Sequence, residues 1–125
     1  MNLKHVRLVS VPVSDQARSK AFYTGTLGLE LIAEEEMTSG NRWVEVGPAG
    51  GETSISLVTW LESMKPGSVR GVIFLTDDIQ ADHDELAGKG VEFLGPIEEQ
   101  HWGKFVQFKD PDGNVLVLQE NLKGS

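Results

Sequence analysis

The sequence carries one pattern twice, at a spacing of about 62 residues. In each copy a β-type apolar segment ends at an aspartate, a helical segment follows, a glycine closes the helix and a second β-type segment begins. Residues 11–15 match residues 73–77, and residues 27–31 match residues 89–93. This repetition predicts one domain over residues 1–125, built from a first module at about 1–62 and a second at about 67–122.

Local signals at the helix ends support the two modules. Asp15 and Asp78 are favourable N-cap residues, and Gly28 and Gly90 stand where a helix needs a left-handed residue after its last turn. The predicted helices cover about 15–27 and 79–89. The apolar positions predicted to be buried are Ala17, Ala21, Phe22 and Leu27 in the first helix, and Ile79, Leu86 and Ala87 in the second.

Three short β-type stretches follow each helix, separated by Gly, Pro or Asn. They cover about 29–35, 41–47 and 53–60 in the first module, and 91–94, 103–109 and 114–120 in the second. The order β-α-β-β-β, repeated, predicts an α+β fold whose curved mixed sheet has one face on the helices and one lining a cavity. Alternation places these side chains on the cavity side: Leu8, Ser10, Trp43, Glu45, Ser54, Ser56, Trp60, Phe105, Gln107, Val117 and Gln119.

Composition excludes several classes of partner. The net charge of −8 would repel a phosphate backbone or an anionic membrane, so neither nucleic acid nor a membrane is an expected partner. No apolar stretch is long enough to span a bilayer, and the first residues do not resemble a secretion signal. The absence of cysteine removes disulfides and thiolate sites. We expect a cytoplasmic protein.

Two segments resemble the opening and closing signatures of the vicinal-oxygen-chelate superfamily, which contains glyoxalases, bleomycin-resistance proteins and dioxygenases. They are residues 11–28, VPVSDQARSKAFYTGTLG, and residues 108–114, FKDPDGN. With the doubled element order, the resemblance covers nearly the whole chain. It implies the glyoxalase/bleomycin-resistance/dihydroxybiphenyl-dioxygenase fold and a homodimer, since family members of this length usually pair. It does not fix an activity.

The same resemblance implies a metal in the enzymes of the family, held by one residue on each of four strands. Counted from the two signatures, those positions hold Leu8, Ser56, Gly71 and Val117. A catalytic divalent ion needs three or more nitrogen or carboxylate donors, and Leu, Gly and Val have no donor side chain. The sequence therefore predicts no metal and no other cofactor.

The remaining candidates form a predicted ligand site. Its aromatic members would stack on a flat organic ligand while hydroxyl and amide groups fix the ligand's orientation. Alternatively, Trp43, Trp60 and Phe105 fill the hollow or seal a dimer. The predicted ligand-binding residues are Ser10, Trp43, Ser54, Ser56, Trp60, Phe105, Gln107 and Gln119.

Glu45 is the candidate catalytic residue. A carboxylate desolvated beside Trp43 would have a raised pKa and could act as a general base without a metal. The alternative is a glutamate on an edge strand that faces water.

The other polar groups favour structural roles. His5, His83 and His101 share no face or spacing, which predicts exposed histidines rather than a site. The acidic run at 34–36 is typical of a solvated strand end or loop. The segment 110–113, Asp-Pro-Asp-Gly, is typical of a tight turn, since it lacks the later carboxylates of a calcium loop.

Three functions are compatible with these residues. The first is a metal-free protein that binds a small aromatic or amphipathic molecule. The second is a glyoxalase-like lyase or isomerase, or a dioxygenase-related enzyme, with an unusual metal site or with Glu45 as its base. The third is a dimeric interaction module with a vestigial cavity.

Overall fold

The computed structural model describes residues 1–37 and 39–121. The chain divides into two compact units, unit 1 ending at Pro66 and unit 2 beginning at Gly67. The end of the predicted second module, at about residue 122, lies outside the described residues. Within the described ranges, no helix combines the length and apolarity that crossing a membrane requires.

Unit 1 has one helix and a four-stranded mixed sheet. Strand β1 pairs in parallel with β4, and the β4–β3 and β3–β2 pairs are antiparallel, which gives the order β1-β4-β3-β2. Strand β4 is inner and fully buried, because it pairs on both sides and carries Ile55 and Leu57. The elements are β1 (Leu8–Pro12), α1 (Gln16–Lys20) with a π-helical continuation (Ala21–Thr26), β2 (Glu30–Glu36), β3 (Arg42–Gly47) and β4 (Ser54–Val58).

The start and end of the first helix agree with the sequence signals. The side chain of Asp15 accepts a hydrogen bond from the backbone N–H of Arg18, and Gly28 adopts a positive φ of 75°. The predicted buried face is wrong for Ala17 and Ala21, which are exposed, while Phe22 and Leu27 are half-buried. Ser19 and Tyr23 face the core instead. A tyrosine buries far more apolar area than an alanine, so the helix face that carries Tyr23 and Ser19 packs against the core.

Unit 2 repeats the same order of elements. Its sheet has the order β5-β8-β7-β6, with β5 parallel to β8 and the other pairs antiparallel. The elements are β5 (Val72–Leu75), α2 (Ile79–Gly88), β6 (Glu98–Gln100), β7 (Gly103–Lys109) and β8 (Val115–Asn121). The predicted strand at 91–94 is wrong, since that segment forms only an isolated bridge between Phe93 and Phe108. Pro96 lacks an amide hydrogen, so the regular ladder begins only at Glu98.

The second helix is held at its start by two carboxylates. Asp78 accepts a hydrogen bond from the N–H of Ala81 at 3.0 Å, and Glu120 on β8 accepts one from the N–H of Ile79 at 2.8 Å. Ile79 and Leu86 are buried as predicted, whereas Ala87 is exposed. A positive φ of 84° at Gly90 closes the helix, as its position predicted.

The predicted α+β class and the doubled β-α-β-β-β order are therefore confirmed. Each module builds its own four-stranded mixed sheet, and neither sheet closes into a barrel.

Candidate functional site

One face of the unit 1 sheet carries a concentrated set of polar side chains. Strand register pairs Ser10 with Ser56 and Glu45 with Ser56, which brings three strands together at one level. Alternation puts Ser54 and Trp43 on this same side, while Val44, Val46, Ile55 and Leu57 occupy the other side, and α1 contacts β3 and β4. We call the set Ser10, Trp43, Glu45, Ser54 and Ser56 the polar face.

Glu45 lies at the centre of the polar face. Its side chain accepts hydrogen bonds from Ser54 Oγ at 2.6 Å, Trp43 Nε1 at 3.1 Å and Arg7 Nη1 at 3.2 Å. It is only 4% exposed, and its strand is an inner strand of the sheet, so the alternative of a water-facing edge glutamate is wrong.

The predicted rise in the pKa of Glu45 is also wrong. The hydrogen bond from Ser54 is the largest effect and lowers the pKa of the Glu45 carboxyl, and Trp43 and Arg7 act in the same direction against the opposing effect of burial. Donors that stabilise the carboxylate outweigh desolvation here. A carboxylate held in this way is a weak base, and the arrangement favours a fixed anion that orients its neighbours.

Arg7 is a member of this cluster that the strand pattern did not predict. Its backbone carbonyl accepts a hydrogen bond from the N–H of Ser54 at 2.8 Å, which anchors it just before β1. Its side chain is 67% exposed and forms an ion pair with Glu45. A single cation in the otherwise apolar run at 6–9 was the available signal, but strand parity alone does not describe a residue outside the strand.

The aromatic part of the candidate site is a pair of indoles. The rings of Trp43 and Trp60 have centroids 6.5 Å apart and planes inclined by 36°. Both residues are half-buried, so each offers ring surface. Nearby on the polar face, the hydroxyls of Ser10 and Ser56 are hydrogen-bonded at 2.9 Å. Ser54 and Ser56 are buried, whereas Ser10 is half-buried.

Unit 2 holds the other three predicted ligand residues. Register places Phe105 on β7 opposite Gln119 on β8, with Gln107 two residues farther along β7 and opposite Val117. Phe105 stacks on Trp102 at 5.6 Å, and Gln119 donates a hydrogen bond to Asn121 at 2.9 Å. A pocket of about 120 Å³ lies beside β7; its lining residues are Leu94, Gly95, Pro96, Glu98, Phe105, Val106 and Gln107.

The four positions implied for a metal do not fit one. Leu8, Gly71 and Val117 offer no side-chain donor, and the hydroxyl of Ser56 is already bonded to Ser10. Among the described residues, no three His, Cys, Asp or Glu side chains lie together in a way that could hold a metal ion.

The remaining polar groups have local structural partners. His5 and His101 are exposed as predicted, but His83 is half-buried, and its ring centroid lies 4.3 Å from that of Phe93 with the two planes inclined by 37°. The turn at 110–113 is confirmed by the hydrogen bond from Gly113 N to Asp110 O at 3.0 Å.

The acidic run at 34–36 forms the end of β2, which was one of the two predicted alternatives. Glu34 forms ion pairs with Lys20 and Arg42, both at 2.8 Å, and these hydrogen-bonded partners lower the pKa of its carboxyl, Lys20 having the larger effect.

Known proteins resemble the chain along nearly its full length. The crystal structure of TnmS3, an antibiotic binding protein from Streptomyces sp. CB03234, is 45% identical, covers 97% of this chain and 98% of its own, and superposes with a TM-score of 0.91. A superfamily member from Sphaerobacter thermophilus DSM 20745 is 34% identical, covers 95% and 98%, and has a TM-score of 0.89. The uncharacterized protein YetH of Bacillus subtilis is 39% identical over 94% of this chain and 99% of its own.

A family model agrees with these relatives. The model of the Glyoxalase/Bleomycin resistance protein/Dioxygenase superfamily matches residues 2–118. The chain therefore belongs to the glyoxalase/bleomycin resistance protein/dioxygenase superfamily.

Proposed function

We propose that this protein binds a flat aromatic or amphipathic small molecule at the polar face of unit 1 and does so without a metal. The observation that carries the proposal is the half-buried pair Trp43 and Trp60, with Trp43 on the sheet face that also carries the hydroxyl of Ser10. Indole faces stack on planar ligands, and a few adjacent polar groups fix the ligand's orientation.

The groups beneath the indoles favour a preformed site. The carboxylate of Glu45 accepts hydrogen bonds from the indole N–H of Trp43 and from the hydroxyl of Ser54. Among the described residues, no buried side-chain nitrogen or oxygen lacks a hydrogen-bond partner. A ring held by a satisfied, buried network loses little conformational freedom when a ligand arrives, and this raises affinity. Ser54, Ser56 and Glu45 then act as support for the contact residues.

Similarity to an antibiotic binding protein supports a binding function. TnmS3 is 45% identical and matches nearly the whole of this chain. Antibiotics that proteins sequester are small organic molecules, the size class that two indoles and a hydroxyl can contact. The proposal extends to this chain only the class of activity, not the compound.

Two features favour binding over metal or base catalysis. The implied metal positions hold residues without suitable donors, and the lowered pKa of Glu45, caused first by its hydrogen bond from Ser54, makes the carboxylate a poor proton acceptor near neutral pH. The second, enzymatic function therefore has no observation in its favour.

The unit 2 pocket supports a smaller role. Its volume of about 120 Å³ is below the roughly 300–1,000 Å³ of pockets that enclose a drug-sized molecule. Phe105 and Gln107 line this pocket and Gln119 does not; all three remain predicted contacts, and we propose unit 1 as the primary site.

We also propose that the chain is one cytoplasmic domain that forms a homodimer. The apolar residues Ile73 and Leu75 on β5 are more than half exposed, which favours burial in an assembly. Light scattering of the purified protein gives its mass in solution directly. A dimer that binds nothing would favour the third function, an interaction module.

A thermal-shift screen of planar aromatic and amphipathic compounds tests the binding proposal. A ligand at a hundredfold excess over its dissociation constant adds about 2.7 kcal/mol to the free energy of unfolding. We expect Trp60→Leu to abolish the stabilisation by each hit. Trp102→Leu removes an indole from unit 2 and is the matched control, which should keep it. A screen without hits, or hits lost only in Trp102→Leu, would refute the unit 1 site.

A further inference from the structure

The guanidinium of Arg7 lies at the edge of the polar face with most of its surface in solvent. One nitrogen bonds Glu45 at 3.2 Å, and this is the one ion pair that Arg7 makes within the described residues. The pair is single and long, unlike the bidentate, short geometry of an optimal arginine–carboxylate contact. A guanidinium has five N–H donors, so most of the donors of Arg7 face outward.

The location of Arg7 is fixed although its head group is exposed. Its backbone carbonyl is bonded to Ser54 N at 2.8 Å, and the neighbouring carbonyl of Val6 accepts a hydrogen bond from Thr53 Oγ1 at 2.6 Å. Glu45 then holds one side of the guanidinium. The backbone contacts and the ion pair therefore place the guanidinium beside Glu45, the residue that also accepts the indole N–H of Trp43.

A purely structural role explains this arrangement less well. An ion pair with a 67% exposed partner contributes little to folding, because solvent screens it. Glu45 already has two other donors, Ser54 and Trp43, at shorter distances. The outward-facing donors of Arg7 are left without a structural task by these contacts.

We propose that Arg7 is a specificity-determining residue that selects aromatic ligands carrying a carboxylate. This inference rests on the proposed function, since it assigns a substrate class to the same site. The planar fork of arginine matches a carboxylate with two parallel hydrogen bonds. Glu45 is its positioning residue.

The electrostatics permit this selection in spite of the net charge of −8. A ligand carboxylate bound to the outward-facing donors of Arg7 would be closer to the guanidinium than to Glu45, so attraction would exceed repulsion. Carboxylates elsewhere on the protein are screened, because the Debye length is about 8 Å at physiological ionic strength.

Calorimetric titration with a matched pair of probes tests the inference. The probes are 2-naphthoate and 2-naphthamide, which share a ring system and differ in charge. We expect the wild-type protein to bind naphthoate about tenfold more tightly than naphthamide, the range of one charge-assisted contact. Raising the salt concentration should weaken only the naphthoate interaction.

Two variants separate recognition from folding. Arg7→Gln should remove the preference for naphthoate while leaving naphthamide affinity within about twofold, so the amide reports that the site is intact. Arg70→Gln is the matched control in unit 2, where Arg70 bonds the carbonyls of Gly67 and Val69, and both probes should bind it as they bind wild type.

The outcomes distinguish the two proposals. Equal affinity of wild type for both probes, or an equal loss for both in Arg7→Gln, would overturn the role of Arg7 and leave the binding function standing. If neither probe binds, the role of Arg7 is also overturned, and the thermal-shift screen decides separately whether the binding function falls with it.

Discussion

The hydroxyl of Ser54 on β4 donates a 2.6 Å hydrogen bond to the carboxylate of Glu45 on the neighbouring strand β3. Both side chains are buried, and Trp43 and Arg7 donate to the same carboxylate. A buried charge is stable in a protein only when such partners replace water. The contact therefore links the stability of the sheet to the orientation of an indole that we assign to ligand binding.

Acid should weaken the fold through Glu45. The pKa of its carboxyl is lowered below 4.5, chiefly by Ser54, so its stabilisation is complete above about pH 4.5 and is lost as pH falls through the lowered value. We expect Glu45→Gln to reduce the free energy of unfolding at pH 7 by about 2 kcal/mol.

Urea denaturation at pH 7 and at several values below pH 4.5 measures this dependence. The loss caused by Glu45→Gln should shrink towards acid pH. Glu36→Gln alters a carboxylate that is 87% exposed and should change stability by less than about 0.5 kcal/mol. An equal loss in Glu45→Gln at every pH would contradict the ionised state of Glu45.

Trp43→Phe should separate the two tasks of the indole. Phenylalanine keeps an aromatic ring but cannot donate to Glu45, so we expect about 1–2 kcal/mol less stability and partial retention of ligand binding. A double-mutant cycle with Glu45→Gln should give a coupling energy of about 1 kcal/mol. Additive effects would mean that the N–H of Trp43 does not support the carboxylate.

Much of this architecture follows from short-range signals in the sequence. The N-caps Asp15 and Asp78 and the left-handed glycines Gly28 and Gly90 act through their own backbone neighbours, so the ends of both helices were predictable. The strand at 91–94 was not. This segment could form a strand only by pairing with β7. It makes one bridge there, and Gly95 and Pro96 then interrupt the backbone pairing until Glu98.

The chemistry of the candidate site was less predictable, because it depends on contacts between residues distant in sequence. Alternation correctly placed Glu45 beside Trp43, but the pKa of Glu45 is lowered chiefly by Ser54, 9 residues away, with smaller effects from Trp43 and from Arg7, which is 38 residues away. Burial alone predicts a raised pKa, and only the donor positions reverse it. Arg7 reaches the cluster from outside any strand, where periodicity carries no information.

Gly47 at the end of β3 has close neighbours on the side where a Cβ atom would lie. A Cβ atom there would lie 3.0 Å from Ile32 Cδ1 and 3.3 Å from Ser54 Cβ, so Gly47→Ala should press on the strand that carries Ser54. We expect a loss of about 1–3 kcal/mol in chemical denaturation.

Gly88→Ala is the matched control for that substitution. Gly88 lies in α2 with no neighbouring atom within 4 Å of an added Cβ, and alanine is the better helix former. It should be neutral or stabilise the protein by up to about 1 kcal/mol. A destabilised Gly88→Ala with an unaffected Gly47→Ala would contradict the packing described around Ser54.

A crystal structure of EDTA-treated protein with the best compound from the screen tests the central claim most directly. We predict a planar ring stacked on Trp43 or Trp60, with the ligand's polar group near Ser10 or Arg7. No cation should lie at Leu8, Ser56, Gly71 or Val117. A compound bound away from both indoles, or one that binds only through a cation held at the polar face, would contradict the account.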